Sequence, residues 1–380
     1  MLRAASTFLA AMALLVAQAA NATDGVTPRQ ILIGQSIALQ NGKNDYGMAV
    51  LSGVQAYLQS ANRQGGVNGR TLVLQTLDDD NKPAQAEANA RRLVAQDKVF
   101  LLFGSIEGGP SSAVMKVAVE SQVPFFGPMA GSPGLRRPYQ PLVFPVRAEH
   151  LEEFRALLGY ARETGSTRVA FVRADTDTGL QHLENVKRVC RELGMELVLD
   201  LPFQSDVSDA QIEQMAGRIG AAHAHVVINH GSAGMYEKLI RKAEAMKIRA
   251  SFSAVNSGSA QLVHHLGELA RGMVFSQVVP SPWERKSAIT REYQEVFAHE
   301  KPGQEFSYGS LEGYLTAKAL VMALRLAGPQ PTRESFVRGL HGAGTLDLAD
   351  GLRAVYKPGD HAGLTLVDLA IVTRDLKFQH

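Results

Sequence analysis

The sequence predicts an α/β fold built from two doubly wound parallel-sheet lobes. Short apolar segments rich in β-branched residues alternate with longer segments that carry apolar residues at helical spacing. The alternation runs to residue 126 and begins again at residue 168. This pattern is typical of a parallel sheet covered by helices on both faces. The length of 380 residues also exceeds what one hydrophobic core usually supports, so two lobes are expected.

The first half contains four predicted strands and three predicted helices. The first helix places Leu51, Val54 and Leu58 on one face. A later helix has Pro110 in its first turn, where proline is well tolerated. The strands are Ile31–Leu39, Thr71–Leu77, Val99–Phe103 and Val123–Phe126, and the helices are Tyr46–Gln64, Pro83–Asp97 and Pro110–Ser121.

The second half repeats this order and ends in further helices and strands. The halves meet near Val143–His150 without a flexible Gly/Ser linker, so we expect them to be tightly tethered. The predicted strands are Arg168–Arg173, Met195–Leu199, Ala224–Asn229, Ala250–Ala254 and Met273–Val279, followed by β-rich segments at Gly363–Thr373 and Leu376–Phe378. The predicted helices are Thr178–Leu193, Asp209–Ala221, Met235–Met246, Lys286–His299, Tyr308–Ala327 and Arg333–Leu340.

Residues 1–22 are predicted to be a secretory signal peptide. Arg3 precedes an apolar core from Phe8 to Ala17, and small residues follow. The alanine-rich end, with no basic stop after it, favours cleavage over membrane anchoring. We place the cut after about Ala22, with Ala19 as the second choice. The segment has no cysteine for lipid attachment, and the cleaved protein is expected in the periplasm.

Charge and cysteine content exclude other classes of protein. The net charge is +2 and no basic run could follow a nucleic acid backbone, so no nucleic-acid partner is expected. Cys190 is the only cysteine, which excludes an internal disulfide. It lies in a predicted helix with no histidine beside it in sequence, so we expect a half-buried apolar role and not a reactive thiol.

The segment GGVNGRTLVLQTLDDDN, Gly65–Asn81, combines glycines with three consecutive carboxylates. No strand closely precedes the glycines and no lysine follows in Walker spacing, which excludes a phosphate loop. A calcium loop is excluded as well, because the segment lacks the alternating oxygen ligands and the closing glutamate that such a loop needs. We therefore predict that Gly65-Gly66 ends a helix, that Asn68-Gly69 forms a turn, and that the carboxylates of Asp78–Asn81 cap the next helix.

Four stretches carry a more specific signal. They are the run from Ile31 to Val94, FLLFGSIEGGPSSAVMKVAVESQVPFFGPMAGSP, RVAFVRADTDTGLQHLENVKRVCRELGMELV, and FSYGSLEGYLTAKALVMAL. Together they resemble the leucine/isoleucine/valine-binding protein family, the branched-chain amino acid group of type I periplasmic binding proteins. The resemblance covers nearly the whole chain after residue 22. It implies two lobes joined by a three-strand hinge that close on a ligand between them.

The resemblance also implies how the chain is divided between the lobes. The crossings are expected near Phe144–Ala148, Ser276–Ser281 and His341–Leu348. Lobe 1 then comprises residues 23–145 and the return segment 280–342. Lobe 2 comprises residues 146–279 and the C-terminal strands in 343–380.

Ligand-binding residues are expected in the loops that follow the carboxyl ends of the strands. Ser105 follows a buried strand and precedes a helix N-terminus, where free N–H groups suit a carboxylate, although it could simply turn the chain. The resemblance implies that backbone groups of Met129 and Gly131 grip a ligand carboxylate. Gly131 occupies the family's usual hydroxyl position, and Ser132 is one residue later. The lobe 1 candidates are Tyr46, Ser105, Ile106, Met129, Ala130, Gly131 and Ser132.

The lobe 2 candidates are more ambiguous. Asp177 and Thr178 could line the cleft or cap a helix, and His230 could donate to an acceptor or lie in solvent. Tyr308, at the start of a helix, could close one wall or only pack. Asn256 is the most informative, because family members that bind α-amino acids generally have a carboxylate near this position to pair with the ammonium. A buried ammonium without a charge partner is heavily penalised, so an amino acid ligand is disfavoured.

The leading functional hypothesis is a non-enzymatic solute receptor of an ABC importer of the branched-chain amino acid type. The expected ligand is a small polar molecule or carboxylate, such as an aromatic acid or an amide. The expected partners are this ligand and the inner-membrane permease complex, with the protein itself a monomer. The alternative is a periplasmic sensor that passes its bound ligand to a signalling partner.

An enzyme is disfavoured because the chain lacks a G-x-S-x-G elbow and a dinucleotide fingerprint. No cofactor is expected, and no metal site is expected either. His223 and His225 lack further ligands at metal-site spacing. The adjacent His264 and His265 would point about 100° apart on a helix.

Overall fold

The computed structural model describes residues 23–204, 206–255 and 259–379. The predicted signal peptide and Asn256 lie outside these residues. The strands are β1 (Gln30–Ile37), β2 (Thr71–Asp78), β3 (Leu101–Phe103), β4 (Phe125–Phe126), β5 (Val143–Phe144), β6 (Arg168–Ala174), β7 (Glu196–Phe203), β8 (Val226–His230), β9 (Ser251–Ala254), β10 (Val274–Gln277), β11 (Thr345–Asp347), β12 (Arg353–Lys357), β13 (Asp360–Gly363), β14 (Asp368–Val372) and β15 (Phe378–Gln379).

The helices cover both faces of the sheets. They are α1 (Asp45–Arg63), α2 (Pro83–Ala95), α3 (Gly108–Glu120), α4 (His150–Glu163), α5 (Asp177–Leu193), α6 (Asp209–Ala221), α7 (Ala233–Ala245), α8 (Ser259–Leu266), α9 (Ala288–Glu300), α10 (Tyr308–Leu326) and α11 (Arg333–Ala343). Three short 3-10 turns lie at Gln40–Gly42, Pro133–Leu135 and Gly267–Ala270.

Two sheets define the lobes. The first has the order β2-β1-β3-β4-β5, and all its strands are parallel. The second has the order β15-β14-β10-β9-β8-β6-β7, in which β10 to β7 are parallel and β14 and β15 form an antiparallel edge. The doubly wound α/β class predicted from the sequence is confirmed, with this antiparallel edge as an addition.

The C-terminal helices pack on the lobe 1 sheet. Leu311, Leu315 and Leu320 of α10 share a buried cluster with Ile33 and Val54. Helices α1 and α10 pack so closely that only glycine fits at the contact. A Cβ added to Gly53 would lie 1.9 Å from the carbonyl oxygen of Ser310. This close contact fixes α10 on the lobe 1 sheet.

The third passage between the lobes lies later than expected. The antiparallel strands β11-β12-β13 form a small separate sheet, and Leu346, Tyr356 and Leu364 belong to the lobe 1 core. The chain joins the lobe 2 sheet only at β14. The expected crossing at His341–Leu348 is therefore wrong, and residues 345–364 pack with lobe 1. The reason is that the small sheet buries its apolar side chains against Phe126 and Phe144.

Helix α4 directly follows the first crossing, and the sequence analysis did not predict it. Leu151, Phe154, Leu158 and Ala161 recur at helical spacing and are buried with Phe171 of lobe 2. The periodic signal was therefore present in the sequence. Helix α8 and strands β11 and β12 were also missed.

The Gly65–Asn81 segment is scaffold, as predicted, but its carboxylates act differently. Gly65 and Gly66 have positive φ after α1, and Asn68 and Gly69 form a left-handed turn. Helix α2 has no side-chain cap. Instead, Asp78 accepts hydrogen bonds from the backbone N–H groups of residues 39, 40 and 41. The predicted capping of α2 is wrong, because the carboxylate binds the loop after β1.

Candidate functional site

Loops of both lobes meet at the carboxyl ends of the strands. A Cβ atom added to Gly108 would lie 2.6 Å from Ser132 Oγ and 3.5 Å from Thr178 Cγ2. A Cβ added to Gly131 would lie 2.6 Å from Cγ of His150. Lobe 1 and lobe 2 are therefore in contact range here. We call the region defined by these five residues the cleft.

The predicted lobe 1 residue Ser105 is fully buried. Its Oγ lies 2.7 Å from Ser111 Oγ in α3, and its carbonyl accepts from the N–H of Met129 at 2.8 Å. Ile106 is also buried, and it forms a bridge to Met129 and packs in the lobe 1 core. These contacts hold the loop after β3 against the loop after β4. The Ser105 hydroxyl is thus bonded to α3 of its own lobe, and its role in ligand binding stays a prediction.

The loop after β4 reaches lobe 2 through its backbone. Ala130 and Ser132 are buried, and the carbonyl of Gly131 accepts from the N–H of His150 at 3.0 Å. This bond joins lobe 1 to the first turn of α4. The sequence analysis expected backbone groups of this loop to bind a ligand carboxylate. In the structure, the carbonyl of Gly131 binds lobe 2 instead. Phe125 and Phe126 of β4, which precede this loop, are fully buried in the core.

The N-terminus of α3 lies at the cleft without a side-chain cap. Glu107 precedes the helix in a left-handed conformation with φ 64°, and it makes no capping hydrogen bond. The first N–H groups of a helix lack internal partners, and the helix dipole makes this end positive. Burial raises the pKa of the Glu107 carboxyl, an effect that the nearby Arg147 opposes. This end of α3 can accept a carboxylate or another hydrogen-bond acceptor.

The predicted residues at the start of α5 have separate roles. Asp177 is exposed, and the cap of α5 is Thr176, whose Oγ1 accepts from the N–H of Gly179 at 3.1 Å. Thr178 is the residue that faces Gly108 of lobe 1. The segment thus provides both an ordinary helix cap and a cleft contact.

A buried network of charges lies behind the cleft. Arg147 donates to Glu153 of α4, and its Nη1 is 3.8 Å from Oε1 of Glu312 in α10. Ser276 Oγ donates to Glu153 Oε2 at 2.7 Å, and Tyr46 donates to Glu312 Oε2 at 2.6 Å. Burial alone would raise the pKa of Glu153, but the Arg147 guanidinium holds it well below its usual range. The predicted residue Tyr46 therefore belongs to a network that links both lobes to the first crossing.

His230 is joined by two histidines that the sequence analysis did not single out. Its ring centroid is 3.8 Å from that of His182 and 4.5 Å from that of His150. Burial keeps the pKa of all three imidazoles below the ordinary value. Among the described residues, these three are the group whose ligand atoms lie close enough together, within 4.8 Å, to hold a metal ion. The sequence analysis considered only His223, His225, His264 and His265 as possible metal ligands and did not predict this cluster.

Tyr308 lies among other aromatic residues. Its ring makes edge contacts with Trp283 at 5.2 Å and with Phe378 at 6.0 Å. Burial raises its pKa. The described contacts of its ring thus favour the packing alternative. Asn256 lies outside the described residues.

A cavity of about 380 Å³ lies beside the first crossing, lined by residues that include Arg137, Glu149 and His361. Its lining includes Arg136, Arg137 and Tyr139 from the later part of the loop after β4, but none of the five residues that define the cleft. We place the candidate site at the cleft, because ligands of open α/β sheets bind beyond the carboxyl ends of the strands.

Comparisons with known proteins agree with this architecture. A family model described as "Periplasmic binding protein" matches residues 30–374. The chain belongs to the periplasmic binding protein family. The family resemblance and the type I fold predicted from the sequence are confirmed. Within the described residues, no helix of this family member has both the length and the apolar character needed to cross a membrane.

Individual relatives are distant. The chain is 30% identical over 107 residues to the Leu/Ile/Val-binding protein BraC3 of Rhizobium johnstonii, which is 28% of this chain and 29% of that protein. The alignment thus spans less than a third of that relative. The structure is similar to a possible leucine/isoleucine/valine-binding protein from Rhodopirellula baltica, with a TM-score of 0.83, 24% identity, and coverage of 95% of this chain and 98% of the other.

A second structurally similar protein is named for a different ligand. It is the fatty acid ABC transporter substrate-binding protein from Thermomonospora curvata, with a TM-score of 0.81 and 16% identity, covering 93% of this chain and 91% of the other. At these identities, the likeness establishes the fold of this periplasmic binding protein and not its ligand.

Proposed function

We propose that the protein is the periplasmic substrate receptor of an ABC importer and captures a small ligand with a carboxylate or another strong acceptor group. The uncapped N-terminus of α3 at the cleft carries this proposal. Gly108, the first residue of that helix, lies where Ser132 of lobe 1 and Thr178 of lobe 2 converge. An acceptor group placed there would accept hydrogen bonds from backbone N–H groups of lobe 1 and would also contact lobe 2. Its binding would therefore favour the closed state.

The charges around the cleft disfavour an ammonium group on the ligand. Glu153 and Glu312 lie beside the buried guanidinium of Arg147. Asp177 is exposed at the rim. Glu107 is the carboxyl group closest in sequence to the α3 terminus, and burial raises its pKa. These features support an organic acid or amide over an α-amino acid.

Calorimetry with the mature protein tests the ligand class. Benzoate-type acids, aliphatic acids, small amides, leucine and valine would be titrated separately. We expect an acid or amide to bind with a Kd near 1 µM, which corresponds to about −8 kcal/mol, and leucine and valine to bind at least tenfold more weakly. Tight leucine or valine binding that is lost in Glu107→Gln, but kept in Glu120→Gln at the opposite end of α3, would show that Glu107 pairs with an amine.

The receptor role also predicts closure of the lobes. A ligand that contacts both lobes makes its full set of contacts only in the closed state, so binding should shift the population toward it. Solution scattering with and without a saturating ligand should show a smaller radius of gyration in its presence and a monomeric mass. Unchanged dimensions would contradict the hinge. A reconstituted importer whose ATPase activity rises with the liganded protein would distinguish a receptor from a sensor.

A further inference from the structure

Three histidines from three different elements form one cluster in the lobe 2 wall of the cleft. His150 is the first residue of α4, His182 lies in the second turn of α5, and His230 ends β8. Their ring centroids are 3.8, 4.5 and 5.0 Å apart. All three rings lie about 6 Å from the ring of Phe154, which forms an apolar base.

Among the described residues, the two ring nitrogens of His182 have no hydrogen-bond partner, and the side chain is fully buried. A buried polar atom without a partner is costly, so such an atom in a folded protein requires an explanation. If packing alone were required here, an apolar side chain would fill the space without that cost. The unpaired nitrogens instead lie beside the nitrogens of two further imidazoles.

The surroundings hold His150 in a metal-binding form. Its Nδ1 lies 2.7 Å from Oε1 of Glu153, which Arg147 and Ser276 hold in place. When Nδ1–H donates to this carboxylate, the lone pair of the imidazole is on Nε2. Metal-binding histidines commonly donate their second N–H to a carboxylate, which orients the ring and raises the basicity of the ligand nitrogen.

The cluster also favours neutral imidazoles. Burial keeps the pKa of His182 and His230 well below the ordinary value, and the neighbouring histidines lower that of His182 further. A neutral imidazole offers a lone pair at neutral pH, which a metal ion requires.

We propose that His150, His182 and His230 bind one divalent first-row transition metal ion of the Zn²⁺ type. Imidazole nitrogens suit Zn²⁺, Ni²⁺ and Cu²⁺, and three protein ligands leave a further position open. The ligand atoms lie within 4.8 Å of one another. Tetrahedral coordination at about 2.1 Å places nitrogens roughly 3.4 Å apart, so small side-chain rotations complete the site. The cluster borders the cleft, where Gly131 of lobe 1 approaches the ring of His150.

Zinc binding to the chelator-treated mature protein tests this site without any organic ligand. Zn²⁺ would be titrated against a fluorescent chelator, and the metal content would be counted by native mass spectrometry. We expect one Zn²⁺ per chain and at least a hundredfold weaker binding in His182→Asn and in His230→Asn. Glu153→Gln should weaken binding about ten- to a hundredfold through the orientation of His150. The double variant His264→Ala/His265→Ala, which removes two exposed imidazoles, is the matched control and should bind as the native protein does.

A second measurement separates loss of the site from loss of the fold. Circular dichroism and thermal unfolding of each metal-free variant identify those that fold, and only folded variants are compared. X-ray absorption at the zinc edge should show three imidazole nitrogens at about 2.0–2.1 Å in the native protein. Native-like zinc affinity in folded His182→Asn and His230→Asn, or zinc binding that disappears only in the His264/His265 control, would overturn the proposal. Because no organic ligand is present, failure here leaves the proposed acid or amide receptor untouched.

Discussion

Replacing Glu153 by glutamine should destabilise the protein strongly, because it removes a charge that balances a buried guanidinium. Arg147 is 3% exposed and Glu153 is fully buried. Breaking a buried ion pair by removing one partner costs about 3–5 kcal/mol. Glutamine keeps the volume and can still accept from Ser276, and Glu312 remains 3.8 Å from Arg147. We therefore expect the free energy of unfolding to fall by about 3 kcal/mol, the lower end of that range.

Urea unfolding followed by far-UV circular dichroism measures this loss, with Glu152→Gln as the control. Glu152 is the adjacent residue on α4, and it pairs with Arg155 at the surface with side chains 31% and 36% exposed. Exposed pairs contribute about 0–1 kcal/mol, so the control should lose less than about 1 kcal/mol. A loss in Glu153→Gln no larger than in Glu152→Gln would refute the assigned role of the network.

The lowered pKa of Glu153 also predicts that the effect of Glu153→Gln on stability depends on pH. The folded pKa of Glu153 lies below its unfolded value of about 4.3, so its ionised form stabilises the folded state above that pH. This contribution is lost as the pH falls toward the folded pKa. The stability difference between the native protein and Glu153→Gln should be constant from about pH 7 to pH 5 and should narrow at lower pH. A difference that widens on acidification would contradict the charge assignment.

Three further predictions concern other parts of the chain. Gly131→Ala should lower the stability measured by thermal unfolding by about 1–3 kcal/mol, because the added Cβ would meet the His150 ring. The control Gly159→Ala, which places a Cβ in open space on α4, should stabilise the protein slightly. Equal effects of the two substitutions would contradict the close approach of Gly131 to His150. Cys190→Ser should leave ligand affinity unchanged in calorimetry and lower stability modestly, because the thiol is 2% exposed within the α5 core face. Burial lowers the pKa of His361 to about 4, so stability should decrease as the pH falls from about 6.5 toward 4, and His361→Gln should reduce that slope in pH-dependent urea unfolding.

The order of strands and helices could be read from the sequence because it depends on local periodicity. Apolar residues at spacing two or 3.6 mark the face that each element buries, whatever the element packs against. Helix α6 begins and ends where the spacing predicts, at Asp209 and Ala221. The same signal is present in α4, from Leu151 to Ala161, in a segment between the first crossing and β6 for which no element was predicted. The third crossing could not be read locally, because it depends on whether β11–β13 bury their side chains in lobe 1.

The loops of the candidate site were predictable for a general reason, since parallel strands bring their carboxyl ends to one edge of the sheet. The direction of each side chain in those loops was not predictable. Ser105 bonds Ser111 within its own lobe, and Tyr46 bonds Glu312, which is 266 positions away along the chain. Hydrogen bonds of this kind depend on which elements are packed together and leave no local pattern.

The sequence by itself determined the two-lobed α/β class and the family, and it predicts the edge of the sheets where a ligand would bind. The tertiary structure alone brought His150, His182 and His230 within 4.8 Å. No spacing rule connects residues that lie 32 and 48 positions apart, because their distance is set by how α4 and α5 pack on the end of β8. Local chemistry therefore decides which elements form, and the packing of those elements decides which side chains can act together.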